Sequence, residues 1–257
     1  MKNLLKQLLK EDFFAILPWL FIPLVGALTG LKLTHLTGID GFNIITVISI
    51  TILVAGPFIG LIILVLRDND RFYGKYAALY SSYPASTRKI SLARLLNYTI
   101  LGIFMNLILL VNIFLVASLT DKSTNFAGFF RDIKNVLSLM TYDQYMVAAK
   151  GIFSLFVFGL MIALTMMAAL SIGNSYYFKR FGKWGSTLVA VCLVAVENYI
   201  QLKLFAKYAI NASIYEGAAI SINSFEMNYI FVIFVILELC LLYFATEYFH
   251  KKKLSVA

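Results

Sequence analysis

The sequence has little charge and few of the residues that carry catalytic chemistry. Charged side chains make up 14% of the 257 residues, and there are two histidines, two cysteines and four prolines. A soluble domain of this length needs more charge to cover its surface. Cys192 and Cys240 both lie inside apolar runs, where small cysteines are expected to pack as core residues. They show neither a metal-binding spacing nor a disulfide framework.

Motifs for hydrolysis are also missing. There is no His-Glu-x-x-His, and Gly173-Asn174-Ser175 has no histidine base in any apolar run. Gly182-Lys183 is followed by Trp184 and lacks the upstream glycine of a phosphate-binding loop. The sequence therefore predicts no catalytic residue, no metal site and no cofactor bound by this chain.

What the sequence does contain is long apolar runs. Apolar residues make up 61% of the chain, and a spanning helix needs about 20 of them in succession. We therefore predict an all-α, polytopic membrane protein with one domain over 1–257 and no nucleic-acid partner. The six predicted spans are 13–34, 44–66, 95–119, 147–173, 186–206 and 229–248.

Residues 1–12 carry an amphipathic pattern. Leu4, Leu5, Leu8 and Leu9 lie on one side and three lysines on the other. Such a pattern is typical of a basic helix lying in the membrane interface.

Basic residues set the predicted orientation. With the amino terminus inside, 15 of the 22 Lys and Arg fall on the cytoplasmic side. The positive-inside rule then predicts that both termini are cytoplasmic. Two longer connections fall outside. In 120–146, five apolar residues at helical spacing predict a surface helix, and 207–228 is expected to re-enter the membrane.

The loop 67–94 is the most informative stretch. Asp68 and Asp70 are expected to open a helix, because acids favour the positive end of the helix dipole. Aromatic and basic residues then recur at helical spacing, and Pro84 ends that helix. Ser86 is positioned to cap the next one. The predicted helix covers roughly 70–80, with Arg71, Phe72, Tyr73, Lys75, Tyr76 and Tyr80 as its notable side chains.

Two glutamates lie within predicted spans, where a charge is costly. Glu197 and Glu238 therefore either line a substrate path or tie helices together through hydrogen bonds. Asn198 and Met166 are further candidates for the path, since methionine offers an adaptable apolar surface.

Six spans, an amphipathic first helix and a helical loop after the second span together resemble the permease subunit of ABC-2-type ABC transporters. The run from Tyr80 to Leu96, YSSYPASTRKISLARLL, is similar to a Leu-Pro-Val-Ser-Arg motif of that family. Tyr83 stands for the leucine, Ala85 for the valine and Thr87 for the arginine. The architectural likeness covers nearly the whole chain.

The resemblance implies an interfacial elbow helix over 1–12 and a coupling helix that docks on a separate ATPase. It implies a dimer of permeases, identical or not, in a bacterial plasma membrane, with ATP and magnesium bound by the partner. Arg71, Phe72, Tyr73, Lys75, Tyr76, Tyr80 and Pro84 would form the docking surface. The expected activity is export of an amphipathic peptide, lipid-like or drug-like compound.

Two alternatives remain open. An ion-coupled carrier or channel would use Glu197 and Glu238 as a relay and would need no ATP. A membrane scaffold would bind partners without transporting anything.

Overall fold

A computed structural model describes residues 2–82, 84–120, 138–181, 184–208 and 229–254, together with 128, 131, 134 and 135. These residues form helices, turns and short 3₁₀ segments, and no strand occurs among them. The helices are α1 (Lys2–Thr37), α2 (Asn43–Phe72), α3 (Ala77–Ser81), α4 (Thr87–Thr120), α5 (Tyr142–Gly173), α6 (Trp184–Tyr208) and α7 (Tyr229–Leu254).

Six of these helices are long and apolar enough to cross a membrane. They are all except α3, and each contains one of the six spans that the sequence predicts. An all-helical, multi-pass membrane protein is therefore confirmed. The helices extend beyond the predicted spans at several ends, because hydrogen bonding within a helix continues past the point where apolar residues stop.

The described chain forms two compact units, one within 1–83 and 92–141 and the other within 84–91 and 142–257. In the first unit, α1 packs along α2. The buried face of α1 repeats almost every fourth residue, through Leu4, Leu8, Asp12, Ile16, Leu20, Leu24 and Ala27. This spacing keeps one stripe against the neighbouring helix.

Residues 2–12 do not form a separate helix. They are the first three turns of α1, which runs unbroken to Thr37 through Pro18 and Pro23. The expected elbow is not seen because the buried stripe continues in phase across Asp12 into the span, so both parts pack on the same neighbour. Neither proline ends the helix, although each removes one backbone N–H donor.

The apolar centre of the first unit lies among α1, α2 and α4. Leu24, Ala27, Leu53 and Val116 form a buried cluster there. Nearby, the Asn112 side chain of α4 donates to the Leu20 carbonyl of α1, 3.0 Å away. An interhelix bond at Asn112 agrees with the preference for satisfying polar groups inside a membrane bundle.

In the second unit, α5 packs against both α6 and α7. Its buried residues all fall in the half from Met161 to Gly173, whereas the half before Met161 is exposed or half-buried. Cys192 and Cys240 are exposed rather than packed in a core. Their helices are apolar on most faces, so membership of an apolar run does not determine which side of the helix packs.

Backbone contact closes the turn between α5 and α6. A Cβ on Gly185 would lie 2.7 Å from the Gly173 carbonyl oxygen, and a Cβ on Gly173 would overlap the main chain of Ser186. The Asn174 amide donates to the Ser186 hydroxyl at 2.8 Å and to the Leu170 carbonyl at 2.9 Å. The two helix ends are therefore held at a separation that only glycine permits.

Substituting Gly173→Ala is expected to lower the free energy of unfolding by about 1–3 kcal/mol, because the new methyl group meets backbone that has no room to move. Gly159→Ala, on the same helix, is the matched control. A Cβ there meets nothing within 4 Å, so alanine is expected to be neutral or slightly stabilising. Denaturation of both variants in detergent micelles measures the difference, and equal stability would contradict the close contact.

Two predicted features lie largely outside the described residues. The surface helix in 120–146 depends on five apolar residues, of which Met140 is described and Phe126, Phe130, Ile133 and Leu137 are not. The re-entrant segment after α6 falls on 209–228, which is not described either. Both stay predictions, as does the single domain over 1–257.

Candidate functional site

Helix α2 continues through the start of the loop and ends at Phe72. Asp68 and Asp70 therefore lie in its last turns, and the prediction that they open a helix is wrong. Acids at a helix carboxyl end face the negative end of the dipole, so they need another source of stabilisation. Asp68 has one, because it is buried against a basic residue of α4, described below.

The loop then turns and forms one short helix. Residues 73–76 form the turn, α3 follows over Ala77–Ser81, and α4 begins directly after Ser86. A continuous helix over 70–80 is therefore wrong. Gly74 allows the break, since a Cβ there would lie 2.9 Å from the Asp70 Cα atom. The Tyr76 N–H then bonds to the Asp70 carbonyl at 3.0 Å, which folds the loop back on the end of α2.

Asp12 of α1 is the centre of a buried ion-pair cluster. Its side chain is 1% exposed and that of Arg71 is 4% exposed. Arg71 donates to both Asp12 oxygens, at 2.6 and 2.8 Å, in the planar two-pronged geometry that guanidinium groups favour. Arg67 lies 3.0 Å from the same carboxylate, and the Asn97 amide of α4 donates to it at 2.7 Å. One carboxylate thus joins α1, α2 and α4.

Arg94 of α4 forms a second buried pair with Asp68 of α2. Its side chain is fully buried and donates to both carboxylate oxygens. It also donates to the Tyr73 hydroxyl at 3.3 Å, and its guanidinium lies 4.8 Å from the centre of the Phe72 ring. Guanidinium groups suit such sites because they pair and stack at once. The Arg94–Asp68 pair holds the carboxyl end of α2 against α4.

Tyr80 fixes the far side of the loop. Its hydroxyl donates to Glu11 of α1 at 3.2 Å, and its ring packs 5.3 Å from that of Phe72. Burial raises the pKa of Tyr80 above its ordinary value, an effect that Arg71 partly opposes. The phenol therefore keeps its proton and stays a donor. Glu11 also accepts from Arg71 at 2.8 Å and from Gln7 at 3.0 Å.

Together these contacts form a charge-balanced clasp, by which we mean Glu11, Asp12, Arg67, Asp68, Arg71 and Arg94. Three carboxylates meet three guanidinium groups, so the cluster has no net charge. A buried charge is tolerated only when it is paired and hydrogen-bonded, as the four buried members Asp12, Asp68, Arg71 and Arg94 are. The clasp joins α1, α2 and α4 at the base of the loop, and the loop contacts it through the hydroxyl groups of Tyr73 and Tyr80.

The loop leaves one face uncovered. Tyr76 is 49% exposed and Leu79 is 65% exposed, and Lys75 lies beside them with its ammonium 5.1 Å from the Tyr76 ring centre. An open groove of about 430 Å³ adjoins this face. It is lined by Gln7, Glu11, Arg67, Asp70, Arg71, Lys75, Tyr76, Leu79 and Tyr80.

The docking residues predicted from the sequence thus divide into two groups. Arg71, Phe72 and Tyr80 are buried, and Tyr73 is half-buried beside Arg94. These four hold the loop in place. Lys75 and Tyr76 are exposed on the loop, and Pro84 is exposed before α4. A docking role for any of the seven stays a prediction.

Of the six clasp residues, only Arg71 was predicted from the sequence as a site residue. The sequence did not identify Glu11, Asp12, Arg67, Asp68 or Arg94. Asp12 follows Leu4 and Leu8 at intervals of four and precedes Ile16, so it lies on the buried stripe of α1. Asp68 and Arg71 continue the stripe of Gly60 and Leu64 in the same way. A charged residue in phase with an apolar stripe indicates a buried, paired charge. The sequence of α1 and of α2 contains this pattern.

Glu197 and Glu238 each accept a hydrogen bond from another helix of the second unit. Thr165 of α5 donates to Glu197 at 2.7 Å, and Gln201 of α6 donates to Glu238 of α7 at 3.5 Å. This arrangement fits the hypothesis that they tie helices together, while a transport role stays a prediction.

The structure does not bring Asn198 into that group. Its side chain is exposed and donates to the Val194 carbonyl of its own helix at 2.7 Å. Met166 is half-buried on α5, next to Thr165. Gln201 belongs to the group instead. It donates to Glu238, and its amide nitrogen also lies 3.7 Å from the Met161 sulfur.

Known proteins supply no further assignment. No family model matches the chain, no curated protein matches it, and no solved structure matches it. Within the part of the chain that the structure describes, no group of three or more His, Cys, Asp or Glu side chains is placed to hold a metal ion.

Proposed function

We propose that this chain is the membrane-spanning permease subunit of an ATP-driven exporter whose ATPase is a separate protein. The proposal rests on one observation, the clasp that joins α1, α2 and α4 at the base of the loop after α2. An ATPase outside the membrane needs a part of the permease to which it can bind. That part must stay rigid when the ATPase changes conformation. A loop that rests through Tyr73 and Tyr80 on helices joined by two buried, two-pronged ion pairs would have this stiffness.

The docking surface would be the exposed face of the loop. Lys75, Tyr76 and Leu79 combine a cation, an aromatic ring and an aliphatic side chain around the groove. Aromatic residues beside a pocket frequently dominate the energy of protein interfaces. Arg71, Phe72 and Tyr80 would support this face from behind rather than contact the ATPase.

The remaining parts of the proposal follow the positive-inside rule and the family resemblance. The loop and both termini would lie in the cytoplasm of a bacterium, and the chain would work as a dimer or with a second permease. ATP and magnesium would bind to the partner ATPase. The apolar helices suit an amphipathic peptide or a lipid-like substrate better than a sugar polymer.

Leu79→Asp is expected to reduce the amount of ATPase that co-purifies from native membranes at least about tenfold, because a charge then faces the apolar part of the interface. Leu139→Asp is the matched control. Leu139 is 81% exposed and belongs to a connection predicted to lie outside the cell, so the same substitution is expected to leave capture unchanged. ATP-driven uptake of the substrate into inverted vesicles is expected to fall in parallel.

Other outcomes decide against the proposal. Full ATP-driven uptake with Leu79→Asp would show that the loop face is not the ATPase's contact. Transport without ATP that is lost in Glu197→Gln or Glu238→Gln would instead favour the ion-coupled carrier. Stable capture of partners with no transport of any compound would favour a scaffold. Arg71 is unsuitable for this test, because its removal disturbs the clasp itself.

A further inference from the structure

The turn between α5 and α6 presents a group of exposed aromatic side chains. Tyr176 is 77% exposed, Tyr177 64%, Phe181 52% and Trp184 76%. The first three belong to the 3₁₀ segment Tyr176–Phe181, and Trp184 is the first residue of α6. The contact of Gly173 with Ser186 lies at the base of this turn.

The turn begins where the apolar part of α5 ends. Residues 151–173 are almost entirely apolar, and Tyr176 follows Gly173 by three positions. Trp184 starts the next apolar helix on the other side of the turn. Tyr and Trp are enriched at this level of a membrane because their rings are apolar and their N–H or O–H groups face the headgroups.

The sequence of this turn is basic and has no acidic residue nearby in the chain. Lys179 and Arg180 lie in the same 3₁₀ segment, and no Asp or Glu occurs anywhere in 144–196. The clasp differs, because its three arginines are balanced by Glu11, Asp12 and Asp68. A partner for the turn must therefore be negatively charged and must accept aromatic rings.

We propose that this aromatic turn, the described residues Tyr176–Phe181 and Trp184, binds anionic phospholipids. The rings would lie at the headgroup level, and Lys179 and Arg180 would attract the lipid phosphates. Binding here goes beyond the transport activity proposed above and does not depend on an ATPase. It would hold the closed end of the α5–α6 hairpin at one depth in the membrane.

The two tryptophans of the chain make a direct test possible. Trp19→Phe leaves Trp184 as the single fluorescent reporter. The purified variant is placed in nanodiscs of equal parts phosphatidylcholine and phosphatidylglycerol, and bromine is carried either by one lipid or by the other. Total charge is then the same in both samples. Brominated phosphatidylglycerol is expected to quench Trp184 about two- to fivefold more strongly than brominated phosphatidylcholine.

Two variants complete the design. Adding Lys179→Gln and Arg180→Gln is expected to bring the ratio of quenching close to one without changing helix content. Trp184→Phe leaves Trp19, within α1, and is expected to give a ratio near one throughout. Equal quenching of Trp184 by both lipids would overturn the proposal. Quenching by neither lipid would also overturn it, because the turn would then lie outside the lipid.

Discussion

Replacing Asp12 with asparagine is expected to lower the free energy of unfolding by about 3 kcal/mol or more. The substitution removes one charge without changing the shape of the side chain. It leaves Arg71, which is 3% exposed, without the carboxylate that meets both prongs of its guanidinium. Taking one partner from a buried pair is costly because the other charge stays in a site with little water.

Asp70→Asn is the matched control for this experiment. Asp70 lies near the end of α2, its side chain is 51% exposed, and its carboxylate is 3.9 Å from the Lys75 ammonium. Exposed pairs of this kind contribute about 0–1 kcal/mol. Both variants can be compared by circular dichroism during unfolding in mixed detergent micelles. If they lose the same stability, Asp12 is not the centre of a buried clasp.

A double variant separates the lost charge from other effects. Asp12→Asn combined with Arg71→Met removes both charges, and Glu11 keeps its hydrogen bonds to Gln7 and Tyr80. Replacing both members of a buried pair by uncharged groups is often close to neutral. We therefore expect the double variant to recover about half or more of the stability lost in Asp12→Asn. An additive loss would mean that the two side chains do not interact.

Arg94→Ala is the second substitution with a large expected effect, about 4 kcal/mol or more. Arg94 is fully buried, and its removal leaves the Asp68 carboxylate unpaired and takes the cation away from the Phe72 ring. Arg94→Lys is expected to fall between wild type and alanine. Lysine restores the charge but cannot donate two parallel hydrogen bonds.

Arg88→Ala provides the control for this series, since Arg88 lies on the first turn of the same helix and is exposed. It is expected to change stability by no more than about 0.5 kcal/mol. Limited proteolysis of the loop 73–82 gives a second readout. Cleavage is expected to speed up in Arg94→Ala and not in Arg88→Ala, since Arg94 holds the end of α2. Unchanged cleavage in both would mean that the loop is held elsewhere.

Much of the fold followed from runs of apolar residues. Runs of this length predict spanning helices whatever their neighbours are, because a backbone in lipid must bond within its own segment. The start of α4 after Ser86 and the end of α3 before Pro84 were predictable too, since they depend on residues next to the boundary. The course of the chain between them was not.

Around the candidate site, predictions from local sequence patterns were wrong where ion pairs between residues distant in the sequence determine the structure. Asp68 and Asp70 matched the acids of a helix start, yet α2 continues past them to Phe72. The partner that stabilises Asp68 is 26 residues away, and the partner of Arg71 is 59 residues away. Spacing within one helix cannot reveal a contact of that kind, although charges in phase with an apolar stripe do indicate that a partner exists.

By itself the sequence determined the class of this protein, six apolar helices with basic loops, because the cost of exposing polar groups to lipid acts on each segment separately. Only the tertiary structure decided that Asp12 and Arg94 join three helices at the base of the loop, that Arg71 and Tyr80 face inward, and that Lys75, Tyr76 and Leu79 remain exposed. Those outcomes depend on which helices are neighbours. Burial and pairing are properties of the packed helices, and no single segment contains them.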